Sequence, residues 1–266
     1  MSGIVAGALV AHPPVLLPAV APRESMQVIA TADAIRALDR ELAAIPADLV
    51  VVVSPHSPSH RAALLVRAVD SAHGDLARFG APDVCIDLQL DRDTSRALIE
   101  AAGTAGFRLL AIEDDVLDHG LVVPLHFLER TRQGRSFLLI GVSGWPLPRF
   151  IEFGGWLHRR LDSRRSLFVA SGDLSHRLSP GAPAGFAPEG RAFDELVIRS
   201  LSEGSWDAIE QLDPSFSNAA GECGLRPLAI LLGAARAAGL RSRVLHYEGP
   251  FGVGYPVVAF SAASSL

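Results

Sequence analysis

Residues 48–60, DLVVVVSPHSPSH, decide the fold. Residues 49–53 form an unbroken run of branched apolar side chains, the composition of a strand buried on both faces of a sheet. Ser54 and Pro55 stop the run and leave His56 just past the strand's C-terminal end, with His60 shortly after. In open α/β sheets, ligands bind outside that edge. A strand ending in imidazoles is a poor way to build a core and a good way to build a site.

The same pattern recurs upstream. Residues 4–11 are an apolar strand followed by His12, and Pro13 and Pro14 deny it a continued ladder. Residues 23–44 carry apolar side chains at helical spacing (Met26, Ile29, Ile35, Leu38, Leu42), so residues 4–53 read as strand, helix, strand. That unit favours parallel strands with a right-handed crossover, which sends His12 and His56 off the same sheet edge. Further strands are expected at 63–69, 84–90, 109–112, 136–142, 166–170, 243–247 and 257–261. Helices are expected at 91–105, 118–130, 150–161, 190–201, 206–212 and 224–238, with loops at 73–82 and 180–190. No repeat, linker or low-complexity tract interrupts the alternation. The reading is a single α/β domain over residues 1–266: a central, mostly parallel or mixed sheet flanked by helices, with an active site at the strand C-terminal edge.

Composition narrows the function. A net charge of −5 and a pI near 6.0 give no electrostatic case for nucleic acid or an anionic membrane. All 24 basic residues are Arg, so lysine chemistry is absent. Two cysteines make a disulfide framework improbable and fit a reducing cytoplasm. No apolar run is long enough to span a bilayer, and the N-terminus lacks the basic segment of a signal peptide. The GFAPEG loop and the apolar surroundings of Trp145, Trp156 and Trp206 suggest a homodimer.

Five places put ionisable groups just after an apolar strand or at the mouth of a helix: His12, His56 with His60, Asp118 with His119, Asp173 with His176, and Glu222 with Cys223. Singly, each has an ordinary structural explanation, such as a hydrogen-bonded core histidine or a capping Asp. Together they converge on one sheet edge. Two neutral imidazoles and one carboxylate are the ligand set of non-haem Fe(II) oxygenases, with His12, His56 and Glu222 the best donors. Zinc with Cys223 as a soft third ligand is the competitor.

The segments AHPPVLLP, SPHS, DHGLVVPL, SGDLSHRL, GFAPEG, ECGLRP and YEGPFGVGYPV, in that order, resemble the class III extradiol ring-cleavage dioxygenases, in the family of their catalytic B subunit. The likeness is greatest to the dioxygenase-like domain of the AmmeMemoRadiSam system, which is related to Memo proteins, and it runs from Ile4 to Phe260.

The resemblance implies that His12, His56 and Glu222 hold Fe(II). It implies that His176 is the acid/base acting on a catechol, and that His119 steadies substrate or oxygen. Memo proteins carry a Cys-Gly pair with the cysteine as ligand, which makes Cys223 the alternative third ligand. His60, Asp118 and Asp173 are expected around the substrate, with Arg177, Arg226 or His60 meeting a carboxylate. The implied substrates are a small aromatic and O2. The alternatives are a metal-binding accessory module serving AmmeMemoRadiSam partner proteins without ring cleavage, and a zinc hydrolase.

Overall fold

The computed structural model describes residues 2–262. Ten strands are present among them: β1 (Gly3–Val10), β2 (Leu49–Ser54), β3 (Leu64–Arg67), β4 (Ser71–Leu76), β5 (Ala81–Gln89), β6 (Leu109–Ile112), β7 (Ser136–Gly141), β8 (Arg165–Ser171), β9 (Leu240–Glu248) and β10 (Tyr255–Ala262). The α-helices are α1 (Ile29–Ala43), α2 (Arg92–Ala102), α3 (His119–Phe127), α4 (Glu129–Arg132), α5 (Leu147–Arg160), α6 (Pro188–Glu203), α7 (Asp207–Glu210), α8 (Pro214–Ala220) and α9 (Leu225–Ala238).

Eight strands form one mixed sheet in the order β6-β3-β7-β2-β8-β1-β10-β9. Its centre, β7-β2-β8-β1, is parallel, while β3 runs antiparallel to β7 and β10 antiparallel to β1. The alternation along β2 divides the core: Leu49, Val51 and Val53 face α2, α5, α6 and α9, and Val50 and Val52 face α1, α3 and the β4–β5 hairpin. Both faces are covered, which is why these strands read as continuous apolar runs. The mixed α/β architecture expected from sequence is the one observed.

Three elements differ from the sequence reading. Residues 73–82 are not a loop throughout, because β4 pairs with β5 in a two-stranded antiparallel hairpin. The helix expected from residue 23 begins at Ile29 after a 3-10 turn, and Met26 and Ile29 are 63% and 47% exposed instead of lying in the apolar stripe. The tryptophans are less exposed than their surroundings suggested: Trp145 and Trp206 are buried, and Trp156 packs partly buried against the core beside Phe107 and Phe153. On the GFAPEG loop, Phe186 is exposed. No helix among the described residues is long and apolar enough to cross a membrane.

Candidate metal centre

The topology delivers the site. β1 and β2 flank β8 as parallel neighbours, so His12, His56 and Asp173, each two residues past its strand, leave the same edge. His119 joins them as the first residue of α3. Gly120 follows because a Cβ there would come within 2.6 Å of Ser54 Oγ and 2.9 Å of Asp118 Oδ1.

The Nε2 atoms of His12 and His56 are 3.0 Å apart. One ligand atom from each of His12, His56 and His119 lies within 4.8 Å of the other two. The ring centroids are 4.8 Å (His12–His56), 4.2 Å (His56–His119) and 5.5 Å (His12–His119) apart. Cys223 Sγ stands 3.5 Å from His12 Nε2 and accepts from the Asp173 N–H at 3.3 Å. Its loop comes this close because Gly172 and Gly224 are back to back: a Cβ on Gly172 would sit 2.2 Å from Gly224 Cα.

Hydrogen bonds fix the tautomer of His12. Ser171 Oγ donates its one proton to the Gly120 carbonyl and lies 2.8 Å from His12 Nδ1. With that proton committed, Ser171 accepts from Nδ1–H, and Nε2 keeps a bare lone pair aimed at His56. The backbone N–H of His12 donates to Asp173 Oδ1 at 2.9 Å, locking the strand end to the neighbouring loop.

Burial holds the imidazoles neutral. It depresses His12 far below an ordinary histidine, and His56, His119 and His176 lower it further. It also lowers His56 and His176, and brings His119 to about 4, with His56 adding to the effect and Asp118 opposing it. The Asp173 carboxyl is pushed up to about 7 by burial, against the His12 N–H. Burial, then the Asp173 charge, raises the Cys223 thiol.

The remaining sequence candidates separate. Asp118 is second to the imidazoles: Ser54 and Ser57 each donate to it at 2.7 Å. His176 is near enough to feel His56, and the backbone of Gly221 and Leu174 engages its ring. Glu222 is not in the group. Its carboxylate accepts from Leu225 N–H at 2.6 Å at the start of α9 and lines a separate crevice with Trp145 and Arg226. His60 is exposed and accepts from the Ala62 N–H through Nδ1. Neither Arg177 nor Arg226 lines the cavity that reaches His56 and His119, which has a volume of about 1020 Å³. Its arginines are Arg67, at the end of β3, and Arg78, in the turn between β4 and β5, unnoticed in the sequence because a lone Arg carries no pattern. Phe79 stands 5.3 Å from the His119 ring as a wall of that cavity.

Residues 6–258 match the family described as the catalytic LigB subunit of aromatic ring-opening dioxygenases. The chain belongs to the LigB family. Among curated proteins it is similar to Protein CA_C1420 of Clostridium acetobutylicum, 28% identical over 97% of this chain and 57% of that protein. It is also similar to a MEMO1 family protein of Aeropyrum pernix, 27% identical over 65% of this chain and 61% of that one. The alignments thus span about three fifths of each curated relative. Among solved structures, an uncharacterized protein, JW3007, from Escherichia coli K12 shares the fold with a TM-score of 0.65 at 17% identity, over 96% of this chain and 99% of that one. The LigB fold is dioxygenase-like, and its three converging histidines form a group that could hold a metal.

The donor set fits an ion. Nitrogens about 2.0–2.1 Å and a sulfur about 2.3 Å from one metal lie about 2.9 Å apart for two nitrogens at a right angle, and about 3.5 Å for nitrogen and sulfur at a tetrahedral angle. The His12–His56 separation, 3.0 Å, matches the first spacing and the His12–Cys223 separation, 3.5 Å, the second, while the group whose ligand atoms all lie within 4.8 Å of one another is His12, His56 and His119, with Cys223 outside it.

Proposed function

We propose that this LigB-family chain holds Fe(II) through His12, His56 and Cys223 and opens a catechol-type aromatic ring with O2. The observation that carries the reading is the bare His12 Nε2, 3.0 Å from its His56 counterpart, in the histidine group that the large cavity reaches. Cys223 is preferred to Glu222 as third ligand because its sulfur faces His12 while the glutamate is engaged by Leu225. When bound, the ion supplies Lewis acidity and open coordination positions for substrate oxygens and O2.

The protein's own groups do the rest. His176, held by the backbone of Gly221 and Leu174, takes the proton of a catechol hydroxyl and returns it as the ring opens. His119, neutral at working pH, donates or accepts a single hydrogen bond at the substrate without adding charge. Phe79 and Val116 give the cavity apolar walls for an aromatic ring. The two free cysteines suit a reducing cytoplasm.

A second reading has its own support. A thiolate in place of a carboxylate, and the likeness to a MEMO1 family protein, favour a metal-binding module that serves AmmeMemoRadiSam partners without ring cleavage. The test is anaerobic loading with Fe(II) or Zn(II), metal analysis, and oxygen uptake with a panel of catechols. Iron-dependent uptake with a ring-opened product supports the dioxygenase. Tight iron binding without uptake supports the module, and zinc-dependent ester or amide hydrolysis would move the chain to the hydrolases.

A further inference from the structure

The tautomer of His12 depends on a residue that touches neither a ligand atom nor the cavity. Pro124 is buried inside α3, one helical turn after Gly120. In an α-helix the carbonyl of residue i accepts from the N–H of residue i+4, and proline has no N–H. The Gly120 carbonyl therefore lacks its helical donor. The Ser171 hydroxyl fills the gap, and a hydroxyl has only one proton to give. Ser171 must then accept from His12 Nδ1, across 2.8 Å, and His12 must present a bare Nε2.

We propose that Pro124 is a positioning residue for the metal centre, acting through Gly120 and Ser171 to hold His12 in its metal-ready tautomer. The proposal rests on the reading that His12 Nε2 is a ligand, but the device itself exists in the metal-free protein. It accounts for a proline in the interior of a buried helix, where an alanine would give a better helix. Outer hydrogen-bond partners of a metal-bound histidine commonly change metal affinity by about 10–100-fold, because they set its tautomer and ring orientation. Here the partner is itself set by a missing backbone proton.

Pro124→Ala restores an N–H to Gly120, frees the Ser171 proton to point at His12 Nδ1, and so favours a protonated Nε2. The substitution should leave melting temperature unchanged or raised, since helix propensity offsets the lost ring packing. Ser171→Ala breaks the same link by a different route and should lower melting temperature. The full chain, labelled with 15N at histidine and free of metal, is compared with both variants by long-range proton–nitrogen correlation, the His12 signals being assigned with His12→Gln. Zn(II) affinity is measured alongside by chelator competition.

The expected wild-type result is an unprotonated His12 Nε2. In both variants that nitrogen should shift towards the protonated form, and Zn(II) affinity should fall about tenfold. A protonated Nε2 in the wild type overturns the proposal, and so does an unprotonated one retained in Pro124→Ala. If the tautomer shifts as expected but the wild type binds no metal, the relay stands and the proposed function falls.

Discussion

Asp194 offers a quantitative test of how the site is anchored. It is 1% exposed on α6 and accepts two hydrogen bonds: from the Ser175 N–H at 2.8 Å and from the Tyr247 hydroxyl at 2.6 Å. Ser175 precedes His176, and its own hydroxyl donates to the carbonyl of Ala220, shortly before Cys223. One carboxyl thus ties together both loops that bring groups to the metal centre. Burial outweighs the two donors and raises its pKa from 3.8 to about 6. A carboxyl raised in the folded state contributes its full stability below the unfolded value and loses it as pH rises through the folded one. The roughly two-unit shift corresponds to about 3 kcal/mol lost between pH 4 and a little above 6. Asp194→Asn keeps one acceptor, can meet the rotatable Tyr247 hydroxyl with its amide, and has nothing to titrate. Urea unfolding of both proteins from pH 4 to 8 should give stability curves that separate by about that amount, with the Asn variant gaining as pH rises. Subtraction cancels shared groups such as Asp173. Asp194→Ala should instead cost about 2–5 kcal/mol, since two buried donors lose their partner. Parallel curves for wild type and Asp194→Asn would refute the claim that the carboxyl is buried at a cost.

Three further outcomes test the centre itself. Cys223→Ser should strip most of the bound metal while Glu222→Gln retains it, read by metal analysis after gel filtration; the opposite result would return the third-ligand role to Glu222. His176→Gln should keep the metal and lose about two to four orders of magnitude in turnover with a responsive catechol, the usual size of a missing acid/base; loss of metal instead would make it a ligand. Burial lowers His12 and His56 and places His119 near 4, so these rings stay neutral well below the ordinary histidine value. The Cys223 thiol, raised by burial, must give up its proton to bind, so metal retention against a fixed chelator should decline steadily as pH falls in the wild type, and release confined to the ordinary histidine range between 6 and 7 would contradict that ordering.

Strand β2 and the delivery of His12 and His56 were legible because a strand buried on both faces needs an unbroken apolar run, and a proline after it forces an ending. The β4 strand was not. Its sequence, SAHGDL, has no β-branched residue and contains Gly74, whose missing Cβ would otherwise stand 2.5 Å from Leu117 Cβ. Only the packing of the hairpin on α3 makes it a strand. Glu222 and Cys223 were legible as a pair but not as a choice, because a short turn has no periodicity to say which neighbour faces inward. Ser171, Pro124 and Asp194 escaped notice for a different reason. Ser171 and Gly120 are 51 residues apart, and a hydrogen bond over that separation leaves no pattern in either segment.

The two histidines at the heart of the site are not equivalent, and the difference bears on how a metal could enter. His12 is buried and its Nε2 is bare, so the 3.0 Å contact with His56 Nε2 is a hydrogen bond only if His56 carries its proton there. Two facing lone pairs at that distance would repel. The contact is therefore satisfied by a His56 Nε2–H donating into the His12 lone pair. To become a ligand through the same atom, His56 must move that proton to Nδ1 or to solvent. It is free to do so: it lines the cavity, and among the described residues no hydrogen bond holds its Nδ1. One ring is locked in advance and the other adapts, so neither leaves an unpaired buried donor. In the nitrogen spectra of the metal-free wild type, His56 Nε2 should accordingly be protonated while His12 Nε2 is not. If His56 instead carries its proton on Nδ1 before any metal is added, the two lone pairs face each other unrelieved and the pairing of the two rings is refuted.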